Sequence, residues 1–332
     1  MKVIFQNLLV TILSVVFTLL LCEGILRIYY HLKRNKVTQQ HKVLGWNILP
    51  NVHLKTQKED QAKVSYPVEY KTDSQGFKKF GNLKSPNLKV LFIGDSFTQA
   101  EDVSNDSAYY AVAGQKIPIE VFGYGVNGFG TLQEYMILKK YIDKIKPDVV
   151  VLQFTSNDFI NNCYEIEYNS IQNFGIVRPY LDTKGNLFYK LPKNHATFRA
   201  FVNEYSRLLY YLVNRIEETQ IKPDHFTAAN YRDSFKITAY SIQNIKKLCR
   251  ANGAKFSSFM VDSGSGVEYR LYQKLMAENA VEIIADVPTL IQETENAGIC
   301  CKVPDNHWNN RGHRVCGEAL ADAIEKQYLV KK

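Results

Sequence analysis

No CxxC pair, no internal repeat, no low-complexity tract and no nucleic-acid-binding motif occurs in this 332-residue sequence. Without CxxC, or any His/Asp/Glu set at ligand spacing, there is no footing for a structural zinc or a metal-dependent hydrolase. No metal and no other cofactor is therefore expected. The six cysteines are Cys22, Cys163, Cys249, Cys300, Cys301 and Cys316. Cys22 lies in an apolar segment, and the other five are odd in number and irregularly spaced. Adjacent Cys300 and Cys301 pair only under strain, so no disulfide framework and no redox compartment follows. The lysines are scattered and not striped, so nucleic acid is not an expected partner.

What is present reads as an ordinary globular chain. It is 45% hydrophobic and 22% charged, which argues against extensive disorder. Its length suits one large domain, or one domain with appendages. Lys and Arg number 41 against 33 Asp and Glu, a formal charge of +8. That excess is read as a solvated surface with basic residues beside a membrane, with attraction to anionic lipid or acidic glycan as the sharper alternative.

Periodicity divides the chain. Residues 31–86 are polar and irregular and read as a stalk or lead-in segment. From residue 87 to about 330, strand and helix patterns alternate. Strands are expected over 89–93, 119–122, 148–154, 255–261 and 281–285. Helices are expected over 107–115, 132–145, 231–252, 267–279 and 311–328. The alternation breaks over about 160–230, read as an insertion with a helical stretch near 198–218. Alternating strands and helices predict a parallel sheet covered on both faces, and ligands on such sheets sit beyond the carboxyl ends of the strands. Ser96, Asn157 and Asp262 fall there.

Two places carry chemistry. Gly94-Asp95-Ser96 follows the apolar run at 89–93, and Asp305-Asn306-His307 lies near the far end. A serine on an exposed turn, a histidine to take its proton and an aspartate to orient the imidazole are the parts of a serine esterase. His313 is a rival base, though its place in the last helix beside Arg314 reads as a surface position. Asp286, at a strand end, is a rival acid. Asp95 and Asp158 read as loop-holding carboxylates. Phe159, Tyr164, Tyr168, Phe174 and Tyr180 read as the insertion's own small core, with an acyl- or sugar-binding wall as the alternative.

Four blocks in order resemble the SGNH/GDSL hydrolase family. Ile93-Gly94-Asp95-Ser96-Phe97-Thr98 resembles its nucleophile block, and Gly125-Val126-Asn127-Gly128-Phe129-Gly130-Thr131 its glycine block. Thr155-Ser156-Asn157-Asp158 resembles its asparagine block, with Ser156 where the family usually has glycine. Asp305-Asn306-His307-Trp308-Asn309 resembles its histidine block. The family often spaces Asp and His three apart; here they are two apart, and Pro304 occupies the usual aspartate position. In an extended segment, side chains two apart point the same way, so a tight Asp-x-His pair still works. The lead-in, with Leu44-Gly45-Trp46 and Gly76-Phe77-Lys78, resembles membrane-anchored bacterial members.

The resemblance implies a three-layer α/β/α sandwich around a parallel, flavodoxin-like five-stranded sheet, preceded by one transmembrane helix. It further implies Ser96 as nucleophile, His307 as general base and Asp305 as orienting acid. The oxyanion hole would use the backbone N–H of Ser96, the backbone N–H of Gly128 and the side-chain amide of Asn157. Gly125 and Gly130 are the alternatives to Gly128.

Residues 3–22 hold only Gln6 and Asn7 as strongly polar members, with no charge before Glu23. About 20 such residues cross a bilayer as a helix. Tyr29 and Tyr30, next to Lys33, Arg34 and Lys36, suit an interfacial anchor. No small-x-small cleavage site follows, and Leu21 is unsuited to a lipoprotein site at Cys22. An uncleaved single-pass anchor over 1–30 is expected. Arg27, Lys33, Arg34 and Lys36 after the span favour a cytoplasmic domain, whereas an anchor ahead of a hydrolase-like domain favours export. The outer face is taken as the expectation. The function expected is an acyl-enzyme esterase on a small acyl ester or an O-acylated glycan, the acyl groups of a surface polysaccharide being suggested by anchor and analogy. An O-acyltransferase with the same triad, and a non-catalytic glycan-binding or scaffold protein, are the alternatives.

Overall fold

The computed structural model describes residues 2–32, 37–168, 176–191, 201–202, 205–220, 228–262 and 266–329. Helix α1 (Lys2–Leu32) contains the segment Val3–Tyr29, 27 residues apolar enough and long enough to cross a membrane. The lead-in is folded as two antiparallel hairpins. Strand β1 (Thr38–His41) pairs with β2 (Gly45–Ile48), and β3 (His53–Glu59) with β4 (Ser65–Lys71). Leu44, Trp46, Ile48 and Phe77 lie in one buried cluster with the central sheet. The lead-in is thus packed onto the following residues and does not stand off as a stalk.

Five parallel strands form the centre: β5 (Leu88–Gly94), β6 (Ile119–Gly125), β7 (Val149–Phe154), β10 (Lys255–Met260) and β11 (Glu282–Ile283). Their spatial order is β11-β10-β7-β5-β6. Along the chain this is the flavodoxin-like arrangement, with the second strand outside the first and the later strands added on the other side. Short apolar runs such as Val-Leu-Phe-Ile at 90–93 become strands because both faces are covered. Val90 and Phe92 enter one core cluster, while Leu91 and Ile93 enter the other. Fully burying each such side chain is worth about 1.5–3 kcal/mol.

Helices α4 (Thr131–Ile145), α8 (Ala228–Ala251) and α9 (Val267–Glu278) cover one face through Leu138, Ile245 and Leu275. Helices α3 (Tyr109–Lys116), α10 (Val287–Asn296) and α11 (Asn310–Ile324) cover the other through Tyr109, Ile291 and Leu320. The architecture is the expected three-layer sandwich. Two details differ from the sequence reading. Helix α10 stands outside the expected set, although Val287, Leu290 and Ile291 keep helical spacing and Pro288 suits its first turn. Strand β11 shrinks to two paired residues, Glu282 and Ile283, opposite Ser257 and Ser258. In the insertion, the single turn α6 (Tyr164–Glu167) precedes a hairpin of β8 (Arg178–Leu181) and β9 (Leu187–Lys190), and helix α7 (Arg207–Gln220) follows.

The chain reverses its direction of strand addition at β5, between β6 and β7. Such a switch point leaves a crevice beyond the carboxyl ends of the strands. Ser96 follows β5, Gly128 follows β6 and Asn157 follows β7, so all three emerge on that edge.

Candidate active site

The turn after β5 is built to hold Ser96. A Cβ on Gly94 would come within 2.3 Å of both Gln153 Oε1 and Thr98 Oγ1, so only glycine fits there. Gln153, the polar residue of an otherwise apolar strand, turns its carbonyl to this turn. Its Oε1 accepts from Asp95 N at 3.1 Å, Thr98 N at 3.2 Å and Thr98 Oγ1 at 2.9 Å. Buried Asp95 accepts from Phe97 N at 3.1 Å and from Thr155 Oγ1 at 2.9 Å. It thereby caps the single turn α2 (Ser96–Gln99). Burial pushes the Asp95 carboxyl up, and those hydrogen bonds oppose it in part. Asp95 is thus a loop-holding group, as is Asp158, which accepts from Thr131 Oγ1 at 2.8 Å and Thr155 N at 2.9 Å.

Across the crevice, residues 303–307 make a tight turn, with Asn306 N donating to Val303 O at 2.9 Å and Val303 N to His307 O at 2.8 Å. Asn306 adopts φ +71°. The Asp-x-His segment is therefore bent, not extended, and the turn aligns the two side chains. Asp305 Oδ1 accepts from His307 N at 3.2 Å and lies 3.0 Å from Nδ1. A proton on Nδ1, donated to that carboxylate, leaves Nε2 bare. Nε2 lies 2.8 Å from Ser96 Oγ. The Phe97 ring packs 4.9 Å from the imidazole and 4.8 Å from Trp308, between centroids. Burial alone would lower the His307 pKa; the Asp305 hydrogen bond and the charges of Asp305, Asp95 and Asp102 outweigh it and raise it. The hydrogen bond from His307 holds Asp305 below the usual carboxylate range, against its burial. A hydroxyl, an imidazole and a carboxylate in this sequence can pass a proton away from the hydroxyl oxygen and leave it nucleophilic.

The other two strand ends are held as firmly. Gly128 has φ +74°, a conformation that disfavours a side chain. Its carbonyl accepts from Asn161 Nδ2 at 3.3 Å, while neighbouring Asn127 donates its N–H to Gln99 Oε1 at 2.6 Å and accepts from Trp46 Nε1 at 2.8 Å. Asn157 opens the short turn α5 (Asp158–Asn161) without capping it by its side chain. Ser156 donates from both N and Oγ to the Asp262 carboxylate, the backbone bond at 3.0 Å. The departure from glycine thus adds a tie to the end of β10. Burial pushes Asp262 up to about 6.

Several site neighbours gave no sequence signal. Lys58, from the β3–β4 hairpin, lies 2.7 Å from Asp102. Asp102 converges with Asp305 and His307, their ligand-capable atoms all within 4.8 Å of one another. This is the one such set among the described residues, and Lys58 and Ser96 already engage two of its members. Gln61, at the tip of the same hairpin, donates from Nε2 to Val303 O at 3.2 Å and Asn306 Oδ1 at 3.0 Å. A buried network ties the glycine loop to the insertion. Arg178 pairs with Glu167 at 3.0 Å, donates to Gln133 and stacks 4.9 Å over Trp46. Of the groups around the site only Gln153, a polar residue in an apolar run, carries a sequence signal.

The rival residues stand elsewhere. His313 is buried, not on the surface: its ring stacks on Tyr109 at 6.0 Å and Nδ1 accepts from Tyr109 N at 3.3 Å. It faces inward because α11 turns that side to the sheet. Asp286 caps α10 by position, with its carboxylate taken by Thr289 Oγ1 at 2.8 Å. Of the insertion aromatics, Phe159 and Tyr180 are buried, and Tyr164 packs on Tyr168 and Tyr180. Tyr164, Tyr168 and Tyr180 thus form a small core of the insertion, whereas Phe159 packs on Phe154 in the main core. Phe174 lies outside the described residues.

Comparison with known proteins adds three findings. The family model for GDSL-like lipase/acylhydrolase matches residues 90–320. No curated protein sequence matches at a significant level. Among solved structures, the psychrotrophic esterase EstA from Pseudoalteromonas aligns with 9% identity and a TM-score of 0.43, over 72% of this chain and 98% of that one. The acetylxylan esterase Axe2 from Geobacillus stearothermophilus aligns with 15% identity and a TM-score of 0.38, over 72% and 94%.

Proposed function

This chain belongs to the GDSL-like lipase/acylhydrolase family, and on that premise we propose that it is a serine esterase working through an acyl-enzyme. Membership makes it a hydrolase acting on ester bonds, in line with the SGNH/GDSL resemblance of its four sequence blocks. The observation that carries the reading is the array in which Ser96 Oγ lies 2.8 Å from His307 Nε2 and His307 Nδ1 lies 3.0 Å from Asp305.

Ser96 Oγ attacks the ester carbonyl carbon while its proton passes to His307 Nε2. A C–O bond forms, and the carbonyl π pair moves onto oxygen. The N–H groups of Ser96 and Gly128 and the amide of Asn157 hold that oxyanion, each such donor being worth about 3–4 kcal/mol. Collapse breaks the bond to the leaving alkoxide, which takes the proton from His307. Water then attacks the acyl carbon and gives its proton to Nε2. Release of the acid returns a proton to Ser96. Asp305 keeps Nδ1 protonated and stabilises the imidazolium.

The substrate we favour is an O-acyl group of a surface polysaccharide. Two features support it: Asp305 is 67% exposed and His307 28%, so a polymer can reach them, and α1 can hold the enzyme at a membrane. On this reading α1 is an uncleaved anchor and the domain faces outward. Transfer of the acyl group to a sugar hydroxyl needs only that a sugar replaces water.

Hydrolysis of p-nitrophenyl acetate by the full-length protein in detergent, against Ser96→Ala, tests the proposal. Loss of turnover in the variant is expected. Equal rates overturn the assignment and favour a binding scaffold. Fluorophosphonate labelling on intact cells reads the side on which Ser96 lies.

A further inference from the structure

The anchor and the insertion meet at one point. Glu23, the first charge after the apolar run, accepts at 2.9 Å from each of Ser206 Oγ, Arg207 N and Leu208 N, the opening donors of α7. Arg27, one turn further on, donates to Glu23 at 2.6 Å and to the carbonyl of Tyr205 at 2.8 Å. A carboxylate at the edge of hydrocarbon is costly unless its oxygens are paired. The N-terminus of a helix supplies unpaired N–H groups and a favourable dipole for it.

We infer that α7 lies along the bilayer surface as a second membrane contact, docked to the anchor through Glu23 and Arg27; this rests on the reading of α1 as an anchor. Among the α1 residues whose burial is described, partial burial is limited to Cys22, Glu23, Gly24 and Leu26, while residues 3–21 are exposed. Helix α7 therefore meets the span where its apolar run ends and does not pack back along it. Among the described side chains of its first two turns, the exposed ones are apolar or aromatic. Leu209 and Leu212, 53% and 44% exposed, are three apart and share one helical face. Tyr205 and Phe201, with rings 4.7 Å apart and both exposed, precede them from the same junction. Tyr211 and Arg215 flank the face, the guanidinium 5.7 Å from the ring, a pair suited to the headgroup level. The apolar surface starts at the carbonyl that Arg27 holds, and so continues the anchor's own lipid-facing surface. That continuity selects lipid as its occupant. The consequence is a domain held against the membrane by two elements instead of swinging from one.

The test uses the full-length protein in phosphatidylcholine/phosphatidylglycerol vesicles, with and without lipids brominated on the acyl chains. Tryptophan is introduced singly as L209W, L212W, L20W in the anchor and L290W on α10. Native Trp46 and Trp308 are buried and give a constant background. Quenching of L20W, L209W and L212W is expected, by about half for a helix seated roughly 5–10 Å into the headgroup boundary, with L290W unaffected. Adding Glu23→Ala is expected to reduce quenching at position 212 and leave position 20 unchanged. Quenching at position 20 without quenching at 209 and 212 overturns the inference and leaves the anchor standing. An unquenched L20W overturns the anchor and the inference together.

Discussion

The Lys58 ammonium lies 2.7 Å from the Asp102 carboxylate, and Asp102 faces Asp305 and His307. A residue from the lead-in hairpin thus sets part of the charge around the imidazole. The Asp102 hydrogen bond and charge raise the Lys58 pKa against the effect of its burial. In the proposed mechanism the base is neutral His307, so activity falls as pH drops through its pKa. Asp102→Asn removes a negative charge that favours the imidazolium. The acid limb of kcat/KM is expected to move to lower pH, on the order of half a unit to one unit for partly exposed charges. Lys58→Met leaves Asp102 uncompensated and moves that limb the other way. Equal pH profiles for the two variants would refute this placement of charge.

Asn157 stands at the end of β7 on a turn fixed by Ser156 and Asp158. If its amide holds the oxyanion, Asn157→Ala lowers kcat by about 10²–10³ with little change in KM. Steady-state kinetics on p-nitrophenyl acetate decide this. A rise in KM alone would assign Asn157 to substrate binding instead.

Arg178 and Glu167 form an ion pair with side chains 1% and 0% exposed. Arg178→Ala leaves Glu167 without its countercharge, next to Tyr180, whose hydroxyl donates to it at 2.6 Å. A loss of about 3–5 kcal/mol is expected on breaking one side of a buried pair. Denaturant unfolding in detergent measures it, and Arg178→Ala with Glu167→Gln should lose less than the sum of the two.

Lys78 is buried, and its Nζ donates to Val103 O at 2.7 Å and also to Ala100 O. Burial pushes its pKa down to about 7. Between pH 7 and about 10 the unfolded chain therefore binds more protons at this residue than the folded chain, and stability rises with pH. Lys78→Met cannot titrate. The difference in unfolding free energy between wild type and variant should shift toward the wild type from pH 7.5 to 9.5. A constant difference would mean that Lys78 stays charged in the fold.

Local pattern determined the central strands, the helices α3, α4, α8, α9 and α11, and the positions of the four motif blocks. Strands covered on both faces appear as apolar runs, and motif glycines mark turns that no other residue could make. The lead-in hairpins were not legible, because β3 alternates exposed with only partly buried residues and its polar side chains carry little periodic signal. Helix α10 lay outside the expected set despite the helical spacing of its apolar residues. The contact of Ser96 with His307, 211 positions apart, follows from the order in which the strands assemble. Lys58, Gln61, Asp262 and Arg178 owe their places at the site to partners from distant segments. A charged side chain in a sequence looks the same whether it ends in water or in an ion pair. Only the fold brings up the countercharge that makes its burial affordable.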